Sequence, residues 1–159
     1  MKNNILKFFI MFLVGYFCYM GIEVMFRGYT YILMGITGGI AFVMIDKIND
    51  ILSFEVDTLI QCTIGSLIIT IFELIIGRGL QILSLSPMWD YSNLPLNYKG
   101  VICAPFSLLW VLLSFGGILL ADVINYYVFH EELIPYYKIF GKKFLTLPRR
   151  KCYVPKGIV

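Results

Sequence analysis

Apolar positions along this chain gather into four long runs: from about Ile5 to Met25, Tyr29 to Ile45, Leu59 to Ile76 and Val101 to Phe129. A helix rises 1.5 Å per residue and needs about 20 apolar residues to cross a hydrocarbon layer of about 30 Å, which these runs approximate. The second is short. The fourth is long and has Pro105 near its start, which predicts irregular first turns. The pattern predicts an all-α integral membrane protein, with four transmembrane helices in a compact bundle over residues 1–130. An outer loop covers 77–100 and a tail covers 131–159. Lys2 and Lys7 ahead of the first run resemble a signal peptide, but Tyr16, Tyr19 and Glu23 stand where a cleavage site of small residues would fall, so the run is read as an uncleaved helix.

Polar and small residues recur within the runs at helical spacing. Cys62, Ser66, Thr70, Glu73 and Gly77 draw one stripe on the third, and Tyr16, Tyr19, Glu23 and Arg27 draw another on the first. The fourth carries Ser107, Ser114, Gly117, Ala121 and Asn125, with Asp122 beside them. In the second, Gly35-Ile36-Thr37-Gly38-Gly39 contains a G-x-x-x-G pair suited to close backbone approach. Each run therefore has one face built for protein contact.

Composition agrees with the pattern. Hydrophobic residues make up 59% of the 159 and charged residues only 14%, with a mean hydropathy of +0.82, far from the norm for soluble domains. The length leaves no room for an appended nucleotide-binding domain, and neither a phosphate loop, a G-x-G-x-x-G, an H-E-x-x-H nor an internal repeat is present. With both termini cytoplasmic, ten cations lie inside (Lys2, Lys7, Lys47, Lys138, Lys142, Lys143, Arg149, Arg150, Lys151 and Lys156) and three outside (Arg27, Arg78 and Lys99), a positive-inside bias. This orientation puts the Trp89 loop outside and the acidic connection Asp46–Asp57 inside. The tail from Glu131 has seven cations against two acids, interleaved with Tyr136, Tyr137, Phe140, Phe144 and Tyr153. It is read as a cytoplasmic anchor with some amphipathic helix, adsorbed to an anionic leaflet rather than to nucleic acid.

Candidate chemistry concentrates in the run Met88-Trp89-Asp90-Tyr91-Ser92-Asn93-Leu94-Pro95-Leu96-Asn97. Trp89 and Tyr91 suit a membrane interface, while Asp90, Ser92 and Asn97 suit either a tight turn or a grip on a polar headgroup. A carboxylate inside a membrane is costly and usually faces a partner or a wet cavity. Glu23, Arg27, Glu73 and Arg78 are thus expected to cluster beneath the loop. Alternatively, Glu23 and Arg27 form an ordinary ion pair and Arg78 anchors its helix end. Asp122 is either a buried acid or a helix-end residue. Cys18, Cys62, Cys103 and Cys152 lack metal-ligand spacing, the three inside apolar runs read as small hydrophobes, and His130 beside Glu131 and Glu132 reads as a solvated helix end, so neither a metal nor a cofactor is expected.

Glu73 and Gly77, then Trp89-Asp90-Tyr91-Ser92, Pro95, Asn97, Gly100, Ile102-Cys103, Phe106-Ser107 and Trp110, resemble the pattern of the small membrane family called putative ABC-transporter type IV, or CmpB-like. The resemblance covers roughly Leu59 to Asn125. Where that family usually has a glycine after Trp110, this chain has Val111. The resemblance implies a bacterial-type inner-membrane, permease-like subunit handling a small polar or lipid-like solute. Four short helices are too few to enclose an alternating-access path, so a homo-oligomer, another membrane subunit or an ATPase partner is expected, with membrane lipids as further contacts. Substrate binding is then expected from Glu73, Arg78, Trp89, Asp90, Tyr91, Ser92, Asn97 and Trp110, supported by Glu23, Arg27 and Asp122. Two other readings stand beside it: a lipid-binding or assembly protein without transport, and a small enzyme acting on a lipid headgroup. For the enzyme, no nucleophile and base pair can be assigned.

Overall fold

The computed structural model describes residues 2–150, so the readings made for Lys151, Cys152, Tyr153 and Lys156 lie outside the described residues. Its frame is four helices: α1 (Lys2–Arg27), α2 (Ile32–Ile51), α3 (Thr58–Ile82) and α4 (Ala104–Tyr127). Two small antiparallel ribbons complete it. One pairs β1 (Asn97–Tyr98) with β2 (Ile102–Cys103), and the other pairs β3 (Tyr136–Ile139) with β4 (Lys142–Thr146).

Helix limits follow local chemistry. Gly28, at φ 78°, adopts the left-handed conformation that closes α1. Asp57 caps α3, its carboxylate accepting from the Leu59 amide at 3.0 Å. Pro105 falls in the first turn of α4, where no amide is missed, so the helix starts cleanly at Ala104 and the expected irregular turns become the β2 strand instead. Two helices overrun their apolar cores: α3 continues through Gly77 and Gly79 to Ile82, and α2 continues through Asp46, Lys47 and Asp50 to Ile51. Among the described residues, three helices are long and apolar enough to cross a membrane, Asn4–Arg27, Thr58–Ile82 and Ala104–Tyr127. The fourth, α2, carries those charges in its last turns.

The bundle is two helical hairpins, α1 with α2 and α3 with α4, held together by α2 lying against both α3 and α4. The first hairpin is nearly backbone to backbone. A Cβ on Gly38 would stand 2.3 Å from Tyr19 Cβ, and one on Gly15 would stand 2.3 Å from Phe42 Cβ. The second hairpin is stitched by hydroxyls: Ser66 donates to the Ser107 carbonyl at 2.6 Å, and Thr70 meets the Ser107 hydroxyl at 3.2 Å. The packed core lies toward the end where α3 begins. There Ile45, Ile48, Cys62, Ile118 and Tyr137 form one cluster, and Met11, Phe42, Val43 and Ala121 form another that ties α1 to α4. Large apolar side chains elsewhere face outward, among them Ile32, Leu67 and Leu108, as a lipid-facing surface requires.

The tail departs from expectation. Residues 136–146 are a β-ribbon, not an amphipathic helix, and the ribbon is docked rather than loose. Tyr137 is fully buried and its hydroxyl donates to Asp122 at 2.7 Å, while the Lys138 amide donates to Thr58 Oγ1 at 3.0 Å. The Tyr136 hydroxyl and the Lys138 ammonium both reach Glu55.

Candidate functional site

The loop between α3 and α4 folds back over the bundle as a lid, and its sequence explains how. Asp90 makes an Asx turn, Oδ1 accepting from the Ser92 amide at 2.8 Å and the Ser92 hydroxyl at 2.5 Å. Asn97 binds the turn from the other side, donating to the carbonyls of Leu94 at 2.8 Å and Ser92 at 3.2 Å and accepting from the Gly100 amide at 3.1 Å. Gly100, at φ 70°, has no room for a side chain, since a Cβ would stand 2.5 Å from Ser92 Oγ. The Trp89 indole donates to the Val101 carbonyl at 2.8 Å. Gly77 lets the lid settle onto α3, with Val101 and Trp89 filling the space a Cβ would need.

Glu73 fastens this lid to the bundle. It is 4% exposed, and its two oxygens accept one bond each: Oε1 from the Tyr91 hydroxyl at 2.8 Å, Oε2 from the Trp110 indole at 2.9 Å. Around it the rings are continuous, Tyr91 stacking on Phe106 at 4.5 Å between centroids, Phe106 tilting toward Trp110 at 5.9 Å, and Tyr19 of α1 lying 6.4 Å from Trp110. The lid also reaches α1. Arg27 donates to the Met88 carbonyl at 2.6 Å, pairs with Glu23 one turn earlier and lies 5.3 Å over the Tyr29 ring.

Beneath the lid, α1 and α4 face each other across a gap that both of them line. A lateral groove of about 830 Å³ results. Its walls are apolar, from Ile22 and Phe26 on α1 to Leu109, Leu112 and Leu113 on α4, and Trp89, Tyr91 and Trp110 line its upper part. Glu23, Arg27, Asp90 and Asn93 supply polar groups at its mouth. Among the described residues, Arg27 Nε is buried there without an acceptor. A second cavity of about 420 Å³ adjoins it, sharing Tyr19, Ile22, Met34, Trp89 and Leu113. Gly15, Gly21, Gly116 and Gly117 keep its walls thin, and Glu73 lies along it. Together they form a cleft that is polar at one end and apolar over its depth, the division an amphiphile has.

Hydrogen bonds from the Ser92 side chain and amide hold the Asp90 carboxyl below the usual carboxylate range, so it is an anion at neutral pH. Burial and the adjacent Glu73 push the Tyr91 hydroxyl well above the usual phenol range, so it stays a donor.

Of the residues expected to form the site, Glu73, Trp89, Tyr91 and Trp110 converge, with Glu23 and Arg27 at the rim. Asp90, Ser92 and Asn97 mainly shape the lid. The single charged cluster does not form. Arg78 points along α3 to Gln81 Oε1 at 2.5 Å, and Gln81 donates to the Lys99 carbonyl, because a residue five places after Glu73 lies about 140° round the helix from it and so off the lid-facing stripe. Asp122 lies at the opposite end, with Tyr137. Nearby, Asp46 is buried, accepts from Asn125 Nδ2 at 2.7 Å and lies 3.9 Å from the Lys7 ammonium. His130 meets Arg150 at that same end, 3.0 Å away. Among the described residues no cluster of three or more His, Cys, Asp or Glu is disposed to hold a metal ion. The groove walls Ile22, Leu109 and Leu113 were not singled out in the sequence, since an apolar residue facing a groove and one facing lipid look alike there.

The family model described as Putative ABC-transporter type IV matches residues 6–146, which takes in α1 from its second turn, the other three helices and both ribbons. Comparison with curated proteins and with solved structures gave no match.

Proposed function

The chain belongs to the putative ABC-transporter type IV family, a transport-related group of membrane proteins, and from that premise we propose that it is a permease-like subunit that takes a lipid-like amphiphile into the lateral groove. The observation that carries this reading is the groove itself: about 830 Å³, apolar along its depth, polar at its mouth and roofed by a lid that Glu73 fastens. Trp89, Tyr91 and Trp110 pack against the upper part of the bound molecule. The Asp90 carboxylate and the Arg27 side chain, both in the groove's lining, are the groups a polar headgroup meets. Glu73, both of whose oxygens are engaged, positions Tyr91 and Trp110 rather than touching the solute.

In this proposal α2 spans the membrane as well. Its 20 residues reach about 30 Å, and it lies antiparallel along α1, an intimacy that the Gly15 and Gly38 contacts support. Four spans put both termini on one side, and the excess of cations on the tail side makes that side cytoplasmic, in a bacterial-type inner membrane. The groove opens sideways rather than through the bundle. Movement across the bilayer therefore calls for a second copy or another membrane subunit, driven by an ATPase.

The same sideways opening favours a second reading, in which the chain binds a lipid without moving it. Native mass spectrometry from lipid nanodiscs tests the shared claim: an amphiphile stays bound to the wild type and is lost when Ile22→Phe and Leu113→Phe fill the groove. A chain that emerges empty from every lipid composition sinks both readings. Reconstitution then separates them. ATP-dependent movement of a labelled amphiphile between leaflets, in the presence of an ATPase partner, supports the permease, and retention without movement supports the binder.

A further inference from the structure

The docked β3–β4 ribbon plays no part in the groove, and its chemistry is of a different kind. From Leu133 to Arg150 the chain carries five cations, Lys138, Lys142, Lys143, Arg149 and Arg150, and no acidic residue. Glu55 takes up Lys138, but Lys142 and Arg149 have no acidic partner among the described residues, and Lys143 lies over the Tyr136 ring at 3.7 Å. All of β4 is exposed.

At the tip, Phe140 and Gly141 form the two-residue turn that joins Ile139 to Lys142, both with positive φ, 50° and 74°. Such a turn favours Asn-Gly, and a phenylalanine held in the left-handed region is locally unfavourable. Here that ring is 86% exposed. Strain of this sort persists where the surroundings impose it, and they do: Tyr137 is anchored on Asp122 and the Lys138 amide on Thr58 Oγ1. Thr58 is the first residue of α3, and Asp122 lies in the last turns of α4. The ribbon is thus fixed at the end of the bundle where α3 begins and α4 finishes.

We propose that this ribbon is an anionic-lipid clamp, its tip ring Phe140 seated between acyl chains and Lys142 and Lys143 held against the acidic headgroups of the leaflet into which the bundle is set. A rigid ribbon does this at lower entropic cost than a loose basic tail, because the cations are already arrayed when they meet the surface. The composition, basic residues interleaved with exposed aromatic rings, matches a charged interface.

The test uses the full chain with Phe140→Trp, in nanodiscs of phosphatidylcholine with increasing phosphatidylglycerol, and reads the added tryptophan by difference against the wild type under quenching by brominated chains. Quenching is expected to rise and saturate with the phosphatidylglycerol fraction. Each lysine is expected to count for about 5-fold in the half-saturating fraction, so Lys142→Ser and Lys143→Ser should each shift it by that factor, with high salt acting in the same direction. Native mass spectrometry of the same variants, with Phe140 intact, should show fewer retained phosphatidylglycerol molecules, which keeps the proposal testable if the tryptophan disturbs the turn. Quenching equal in pure phosphatidylcholine, or indifferent to both lysines, overturns the proposal. So does protection of the tip that appears only when a protein partner is added.

Discussion

At the scale of single residues, the account turns on Glu73. A carboxylate within an apolar helix is tolerated because two donors, the Tyr91 hydroxyl and the Trp110 indole, reach it from the lid and from α4. Removing one donor leaves a buried acceptor short. Tyr91→Phe and Trp110→Phe are each expected to cost about 1–3 kcal/mol, read as a fall in thermal unfolding temperature in nanodiscs and as faster amide exchange across residues 86–96. Unchanged exchange in both variants would show that the lid is held by something else. Asp90 gives a pH dependence of known sign. Its carboxyl ionises at a lower pH when the lid is folded than when it is open. The lid is therefore favoured in full above the ordinary carboxylate range, and this support is lost as pH falls through the lowered value. Emission from Trp89 followed from neutral to acidic pH should report that loss, and Asp90→Asn should flatten it. Glu73, Trp89 and Tyr91 stood out in the sequence by being polar or aromatic where apolar residues surround them. The displacement of Arg78 did not, although i, i+5 spacing puts it about 140° round the helix from Glu73, because the opposite charges drew attention to nearness in sequence rather than to face.

At the scale of elements, the close α1–α2 hairpin and the seated lid rest on glycines whose missing side chains are occupied by neighbours. Gly38→Leu should drive α1 from α2, and we expect poor assembly, visible as aggregation on gel filtration. Gly77→Val should spare the helices but lift Val101 and Trp89, leaving circular dichroism intact while the Trp89 emission shifts to the red. If the emission of Gly77→Val matches wild type, the seating of the lid on α3 is not as described. The glycine pair in α2 was readable as a close-approach signal. Helix ends were less readable, since α2 runs on through Asp46 and Lys47, charges that end an apolar run without ending a helix. The β3–β4 ribbon was obscured for a related reason. Its alternation is short, and the density of lysines drew attention to charge rather than to the Phe140-Gly141 turn that shapes it.

At the scale of the whole molecule, two helical hairpins meet tightly at the ribbon end and part beneath the lid, and that difference creates the groove. Nothing in the order of residues announces it, because it depends on how α1 and α4, which share the cluster of Met11, Phe42, Val43 and Ala121 at one end, are set beneath the lid, where Tyr19 and Trp110 lie 6.4 Å apart and both line the groove. Both tryptophans of the chain, Trp89 and Trp110, line it, which makes the central claim directly measurable. The measurement is intrinsic tryptophan quenching in nanodiscs titrated with an amphiphile carrying a brominated chain. A groove that binds predicts quenching that saturates at about one amphiphile per chain, and that Ile22→Phe with Leu113→Phe abolishes while the fold is kept. Quenching that instead grows in proportion to the brominated amphiphile, without saturation and unaltered when the groove is filled, would contradict the account.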